Sequence, residues 1–542
     1  MACMLGAAAM LSGGVAHAAT TTIDLADQPL SAAAVPGNLL LSLSVEYPTA
    51  NTPAYFSTSA YSASSTYLGY FDGAKCYQYV YNSTTPSSSY FKGYSYASSH
   101  TCASGASLSL WSGNYLNWAS MQSLDAFRWV LTGGNRSVDT STQTILQKTY
   151  HSGQDGGSYS PNKSISSGIT GATPFSWSSV NTRIWGAGIK MWITGTGTLT
   201  SSASSMTATD YSGQNSYTTT AASASTVYAL YMNVEVCSTA VGIESNCVLY
   251  GSNYKPEGLM QSYSSKLRFS AFGYLNDGNI KRDGGVMRAR MKYIGPTQPV
   301  PGSSSITNSA AEWSSSTGIM VTNPDSSDAT TTTTAASTAG YPVTISQSGV
   351  MNYLNKFGYA SSSYKTYDPV SELYYAGLRY LKNLGNVSEY SSLSGAGSTA
   401  TMTTWLDGFP VITDWSTDPI AYSCQANFVL GIGDVNTHRD ANLYGSTIRS
   451  SNEPSMPSAV SADTSVNVKT ATDMVGTLEG ISSLGSTYVS SGRQDTYFIA
   501  GLAYDAHTKD IRSDLSGTQT VNTYWLDVLE RSEEHTSELQ SP

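Results

Sequence analysis

The sequence predicts an α/β fold: a parallel sheet with helices on its faces, interrupted by large β-rich insertions. Three observations predict it. Hydrophobic strands alternate with helices over most of the 542 residues, the pattern of a sheet covered by helices. The first strand is a near-continuous apolar run, as expected where both faces of a parallel strand are covered. The helices carry recognisable starts and stops, with Pro at a first helical position and Gly just past an end.

Residues 38–47, NLLLSLSVEY, read as a buried strand followed by a turn at Pro48-Thr49. Residues 50–110 are Ser- and Tyr-rich and too long for a plain loop, so they read as a β-rich insertion. Residues 111–134 read as one amphipathic helix. Ser112-Gly113-Asn114 opens it, Trp118, Met121, Leu124, Phe127 and Leu131 recur at spacings of three and four, and Gly133-Gly134 closes it. Residues 226–237 form a β-branched and aromatic strand, and residues 266–294 alternate strand-like runs with Gly turns. Two Pro/Ser/Thr/Ala-rich stretches, 296–309 and 323–340, read as mobile loops or linkers. Asp368-Pro369 opens a second helix that stops before Gly385. Residues 427–433, NFVLGIG, read as a central buried strand. Ala471, Met474, Leu478 and Ile481 stripe a third helix ending at Gly485, and residues 495–504 and 521–529 read as the last strands. No repeat of solenoid or propeller period is present.

Composition restricts the function classes. Only 12% of the chain is charged, and Ser, Thr, Gly, Ala and 38 Tyr dominate, which suits loop-rich secreted architecture. A net charge of −10 argues against nucleic acid, which needs a basic footprint, and against an anionic membrane surface. Residues 1–18 end in Ala16-His17-Ala18 and read as a signal peptide. No Lys or Arg precedes the apolar stretch, so the expectation is a true start that lies upstream or is misannotated. Cys3 leaves with this segment. No later apolar run approaches the ~18 residues needed for a transmembrane segment. In an exported chain, Cys76 with Cys102 and Cys237 with Cys247 read as two local disulfides around turn-rich loops. Cys424 is left odd, either a free buried thiol or the partner of a residue outside this fragment. Residues 531–542, RSEEHTSELQSP, break from the preceding composition and resemble the translation of a sequencing-library adapter. They are set aside as an artefact.

Catalytic signatures are missing. The chain has no H-E-x-x-H, G-x-S-x-G, G-x-x-x-x-G-K-[ST] or G-x-G-x-x-G string. His100, His151, His438 and His507 have no metal-ligand spacing to one another. The expectation is a protein that is not an enzyme. A secreted carbohydrate-active enzyme using two scattered carboxylates is kept as an alternative, together with a purely structural exported domain.

Several strings carry a family resemblance in their order along the chain. They are the Lys75-Cys76-Tyr77 loop, the helix from Asn114 to Arg128, Asn253-Tyr254-Lys255-Pro256-Glu257-Gly258-Leu259, and Gly285-Val286-Met287-Arg288. Tyr367-Asp368-Pro369-Val370-Ser371-Glu372-Leu373, Cys424-Gln425-Ala426-Asn427-Phe428, Gly433-Asp434-Val435-Asn436-Thr437-His438 and Ala500-Gly501-Leu502-Ala503-Tyr504 follow. Together these resemble the PilY/PilC family of type IV pilus tip-associated adhesin and biogenesis proteins. The resemblance implies a von Willebrand factor A-like (Rossmann-type) domain over residues 19–530, with insertions at about 50–110, 150–225 and 240–345. A C-terminal β-propeller with a calcium site follows in that family and is absent here.

An A-type domain usually carries a metal site at the C-terminal edge of its sheet, with Asp-x-Ser-x-Ser after the first strand, a Thr before a later helix and an Asp after the central strand. This chain departs from that pattern. It has Ser44-Val45-Glu46 after the first strand and Asp368 at the Thr position, and it keeps only Asp434. Asp514-Leu515-Ser516-Gly517-Thr518 comes too late in the chain. Either the site is dead, the more heavily weighted reading, or Glu46, Asp368 and Asp434 converge, with Ser44 accessory, to hold Ca²⁺ or Mg²⁺. His438 and Asp440 read as polar loop residues. The function implied by the resemblance is binding, to pilin and minor pilin subunits at the pilus tip and to a surface or host ligand. The implied location is exported: periplasm, outer surface or pilus tip of a Gram-negative bacterium.

Overall fold

The computed structural model describes residues 35–528, apart from 57–59, 104–107, 155–158, 185–187, 200–206, 214–220, 278–281, 435–436, 450–452 and 490–492. The signal-peptide stretch 1–18 and the tail 531–542 lie outside the described residues. The chain starts with β1 (Gly37–Leu43) and a short helix α1 (Tyr47–Asn51). It then builds β2 (Lys75–Val80), β3 (Tyr90–Tyr96), β4 (Leu110–Ser112), α2 (Gly113–Ser120), α3 (Ser123–Thr132), β5 (Arg136–Asp139) and β6 (Thr144–Gln147). Next come β7 (Lys163–Ile165), β8 (Val180–Ile184), β9 (Lys190–Thr194), β10 (Thr209–Asp210), β11 (Tyr228–Tyr231) and β12 (Asn233–Val236). A hairpin of β13 (Cys247–Tyr250) and β14 (Asn253–Pro256) leads to β15 (Leu267–Gly273) and β16 (Val286–Lys292). After the small hairpin β17 (Thr297–Gln298) and β18 (Ile306–Thr307), the chain is mainly helical. This part holds α4 (Ser326–Thr338), α5 (Val350–Lys356), α6 (Val370–Leu381), α7 (Thr399–Leu406), β19 (Asn427–Gly433), α8 (Val468–Glu479), α9 (Phe498–Thr508) and β20 (Val521–Asp527).

The strands sort into a mixed α/β architecture. The principal sheet has the order β16-β15-β1-β19-β20. β1 pairs in parallel with β15 and with β19, β19 in parallel with β20, and β16 is the antiparallel edge. Everything between β1 and β15 is an excursion carrying a six-stranded sheet, β4-β2-β3-β12-β6-β5, and a five-stranded sheet, β10-β11-β9-β8-β7. The apolar run of β1 is explained by burial on both faces. Leu40 joins the core made with Leu373, Ala376, Phe498 and Leu502 of α6 and α9. Leu41 and Leu43 join Leu124, Leu131, Val350 and Leu354 of α3 and α5. Gly377 lets α6 lie close on the sheet, since a Cβ there would stand 3.1 Å from Leu40.

The long helix expected over residues 111–134 is two helices. Its five apolar markers are all buried, but the backbone turns extended at Met121 and Gln122. The physical cause is local capping: Asp125 Oδ2 accepts from Gln122 N at 2.9 Å and starts a new helix there. The stretch 323–340, read as a linker, is α4. Its threonines 330, 331, 333 and 334 donate their hydroxyls to the carbonyls four residues back. Asp325 and Asp328 at its start pair with Lys292 and Arg290 of β16. Tertiary ion pairing therefore overrides a Thr-rich composition of low helix propensity. Residues 495–504, read as a strand, belong largely to α9, whose Phe498, Leu502 and Ala506 are buried at four-residue spacing. Residues 267–273 and 286–292, placed inside the third insertion, are two strands of the principal sheet. Cys424, read as either a free buried thiol or the partner of a residue outside this fragment, is exposed, which removes the buried-thiol reading, and lies outside both disulfides.

The third helix inverts the expected stripe. α8 ends at left-handed Gly480 and buries Val468, Thr472 and Gly476, while Met474, Leu478 and Ile481 are exposed. Small residues face α9 because the two helices approach closely: a Cβ on Gly501 would stand 2.6 Å from the backbone nitrogen of Thr472. Apolar periodicity marks a face without saying which face is covered. No described helix is long and apolar enough to cross a membrane.

The contrast between two leucines gives a test. Leu373→Ala, in the α6 core, should cost about 2–5 kcal/mol of unfolding free energy. Leu478→Ser should stay within about 0.5 kcal/mol of wild type, both measured by urea unfolding. A large loss at Leu478 would contradict the orientation of α8.

Candidate carboxylate site at the C-terminal edge of the sheet

The connection from β1 leads to β15 on one side, whereas β19 lies on the other. A parallel sheet opens a crevice at such a divergence, beyond the C-terminal ends of the two strands. Ser44 N donates to Ile432 O at 2.9 Å and carries the pairing one residue past β1. Glu46 caps α1, its Oε1 accepting from Thr49 N at 2.5 Å. Asp434 follows β19 directly, and Asp368 lies two residues before α6.

These positions place the three acids together. One carboxylate oxygen from each of Glu46, Asp368 and Asp434 lies within 4.8 Å of the others, and all three residues are buried, at 0, 1 and 2% exposure. Ser44 is also buried, its Oγ 3.5 Å from the Tyr274 hydroxyl. His438 Nδ1 lies 2.7 Å from Asp368 Oδ1, and its backbone N donates to Asp368 O at 3.3 Å. Tyr274 feels the acids directly: burial first, then the Asp368 charge, pushes its hydroxyl well above the usual range, with Glu46 adding. The nearby lysine is committed elsewhere. Lys365 is held beside the Glu46 backbone and gives its ammonium to Asp277 at 2.6 Å. Gly433 lets the ends of β1 and β19 close up, since a Cβ there would stand 2.9 Å from Ser44 Cβ.

Three buried carboxylates this close repel strongly unless a cation or protons intervene. The donor set is all hard oxygen. Two oxygens on opposite sides of a Ca²⁺ ion, each at ~2.4 Å, are ~4.8 Å apart, so oxygens within 4.8 Å of one another are close enough to share one such ion. Asp514, the late look-alike, is elsewhere and pairs with Arg512 at 2.8 Å. Asp440, read as a polar loop residue, is fully buried. Tyr274 was not singled out from the sequence, because its place beside Ser44 follows only from β15 being the neighbour of β1. The second group of metal-capable side chains, Cys237, Glu244 and Cys247, has its sulfurs in a disulfide. Cys76–Cys102 and Cys237–Cys247 are both formed, with Cα separations of 5.8 and 5.7 Å.

Two family models match the chain, "PilY1 homolog, small alpha/beta domain" over residues 58–226 and "PilY1 homolog, second domain" over residues 277–504. A protein of Xylella fastidiosa (strain Temecula1) named "Type IV pilus biogenesis factor PilY1 homolog" is 39% identical, over 97% of this chain and 43% of its own length. The chain belongs to the PilY1 family. A second protein of the same name and organism is 29% identical over 262 residues, 42% of this chain and 16% of its own length. This PilY1-family chain thus spans less than half the length of the curated relatives it matches. No solved structure gives a significant match. Of the candidate ligands, Asp368 and Asp434 fall within the second-domain match and Glu46 lies ahead of both matches.

The crowding of charge gives a stability test in chelator. With metal removed, Asp434→Asn should be at least as stable as wild type in thermal unfolding, because it relieves buried repulsion. Glu46→Gln should keep the α1 cap, while Glu46→Ala should lose about 1 kcal/mol with it. A strong loss for Asp434→Asn in chelator would mean the carboxylates are compensated within the protein itself.

Proposed function

We propose that this chain is the ligand-binding portion of a type IV pilus biogenesis factor, built on a von Willebrand factor A-like sheet that carries a divalent-cation site. The single observation that carries this reading is the convergence of Glu46, Asp368 and Asp434, three residues distant in sequence, at the divergence of β1 and β19. The sheet order agrees with an A-type domain: β1 is central, one edge strand is antiparallel, and helices lie on both faces. The family supplies the pilus context, through the printed name of the Xylella protein.

Glu46, Asp368 and Asp434 would be the ligands, with Ser44 accessory, and the hard-oxygen donor set suits Ca²⁺ or Mg²⁺. The cation supplies charge neutralisation and coordination, and the chain's own residues do the positioning. Glu46 is oriented by its helix cap and Asp368 by His438. Ordering this edge would prepare the surface that meets pilin and minor pilin subunits, with a surface or host ligand as the further partner. The work is binding rather than catalysis. Export to the periplasm, outer surface or pilus tip suits the two disulfides, which persist in oxidising compartments.

Calorimetric titration with Ca²⁺ and Mg²⁺ tests the site. Wild type should bind one Ca²⁺, and a hundredfold excess over Kd should raise stability by about 2.7 kcal/mol. Asp434→Ala should show neither effect. Identical heats for the two proteins would remove the cation from the proposal. Loss of pilin co-purification from the full-length protein carrying Asp434→Ala would extend it to pilus assembly.

A further inference from the structure

A second group of acids surrounds the segment that follows Asp434 in sequence. Asp283, Glu372, Asp440 and Glu453 are all buried, and they grip three consecutive residues, 440 to 442, of the segment downstream of Asp434. Asp440 Oδ2 accepts from Ser371 Oγ and Thr437 Oγ1, both at 2.9 Å, and its Oδ1 accepts from Thr496 N at 2.7 Å. Ala441 N donates to Glu453 Oε1 at 2.8 Å. Asn442 N donates to Glu372 Oε1, and Asn442 Nδ2 donates to Asp283 Oδ2, both at 2.6 Å.

A divalent ion does not fit this group. Unlike Glu46, Asp368 and Asp434, no three of its four acids bring oxygens within 4.8 Å of one another. Among the described residues, no Lys, Arg or His nitrogen lies within ion-pair distance of Asp283, Glu372 or Asp440. Of the cations acting on Asp283, Lys365 is paired with Asp277 and Arg449 donates to Pro454 O. The neighbouring phenols of Tyr274, Tyr390 and Tyr488 bring no positive charge; Arg379, which acts on Tyr390, is paired with Asp463, and buried Asp495 precedes the Thr496 that bonds Asp440.

The hydrogen-bond inventory shows what is missing. Glu372 Oε2 and Asn442 Oδ1 are both buried acceptors with no donor. Asn442 already spends its N–H groups on Glu372, Asp283 and Pro454. The Tyr390 hydroxyl beside Glu372 is likewise buried without a partner, and a proton on Glu372 Oε2 would add a second donor to these acceptors. We propose that Glu372 binds a proton at neutral pH and acts as a latch, holding residues 440–442 against α6 when protonated and loosening them when it ionises. The segment so held follows Asp434 in sequence, so the latch would act on the carboxylate site. That coupling rests on the proposed function, while the latch itself does not.

The direction of the pH effect follows. Burial first, then the charges of Asp283, Asp440 and Glu453, pushes the Glu372 carboxyl well above its usual value of 4.5. Burial likewise raises Asp283 and Asp440. A carboxyl raised on folding contributes stability that is complete below its unfolded value and is lost as pH rises through the folded one. Wild type should therefore lose up to about tenfold in its folding constant per pH unit above about 4.5 from this one group.

Glu372→Gln is the test, because the amide presents an N–H where the protonated acid presents O–H. The measurements are chelator-treated unfolding from pH 5 to 8.5, hydrogen-exchange protection of the Ala441 and Asn442 amides, and difference infrared spectra for a protonated carboxyl band. The expected result is a wild-type carboxyl band at pH 7 that Glu372→Gln removes, a shallower pH slope in the variant, and 441–442 protection that survives to pH 8.5 only in the variant. An unchanged slope with no lost band would overturn the latch, as would a Glu372→Gln protein that is unstable at every pH while Asp283→Asn folds. All these readings are made without Ca²⁺, so failure of the cation site leaves them intact.

Discussion

The pairing of β1 on both its edges is the constraint from which the rest of the structure follows. Six of its residues pair with β15, 230 positions downstream, and six with β19, 389 positions downstream. Both faces of the strand are sealed by helices, so it can shift neither in register nor in depth without exposing Leu40 on one side or Leu41 on the other. That rigidity fixes where Ser44 and Glu46 emerge. Because β19 is locked in register with β1, it also fixes where Asp434 emerges.

Buried carboxylates are the recurring expense of this chain, and it meets them in several ways. Asp277 is sandwiched by Lys365 and Arg282. Glu312 takes the first amides of α5, from Val350 and Met351, and the Lys292 ammonium. Asp407 accepts from Gly358 and Ser361 amides, yet burial still pushes it up to about 6. The remaining two groups crowd several buried acids together instead. They differ in geometry: one set of oxygens lies within 4.8 Å of one another and suits a cation, while the other reaches residues 440–442 from separate elements and suits a proton. Divergence of environment around chemically identical groups is a usual mark of function.

The excursion between β1 and β15 is tied to the principal sheet through buried polar contacts as well as apolar ones. Arg128 of α3 donates to Leu354 O at 2.8 Å, Phe357 O at 3.1 Å and Thr149 Oγ1 at 3.0 Å, and it stacks on the Phe357 ring at 4.6 Å. It thereby joins α3, the strand segment after β6 and α5. Asn114 and Asn117 of α2 likewise hold the 65–71 segment through its backbone. A fully buried guanidinium left without these acceptors would be strongly destabilising, so the excursion and the sheet cannot part independently.

The sequence by itself determined the α/β class, β1, β19 and β20, the helix opening at Pro369, and the acids worth watching. Each of these is written in short-range pattern: apolar runs, caps, and carboxylates at element ends. The disulfide partners were equally legible, since each pair brackets a short loop. What the sequence could not decide was anything requiring a neighbour. The split at Gln122 depends on one Asp125 hydrogen bond. The helix at residues 326–338 depends on ion pairs with β16, and the exposed stripe on α8 depends on how closely α9 approaches. The meeting of Glu46, Asp368 and Asp434, and the lone acceptors around Asn442, exist only because strands hundreds of residues apart lie side by side. Periodicity and capping are local properties of the chain, whereas convergence of charge in a dry interior is a property of the packed fold.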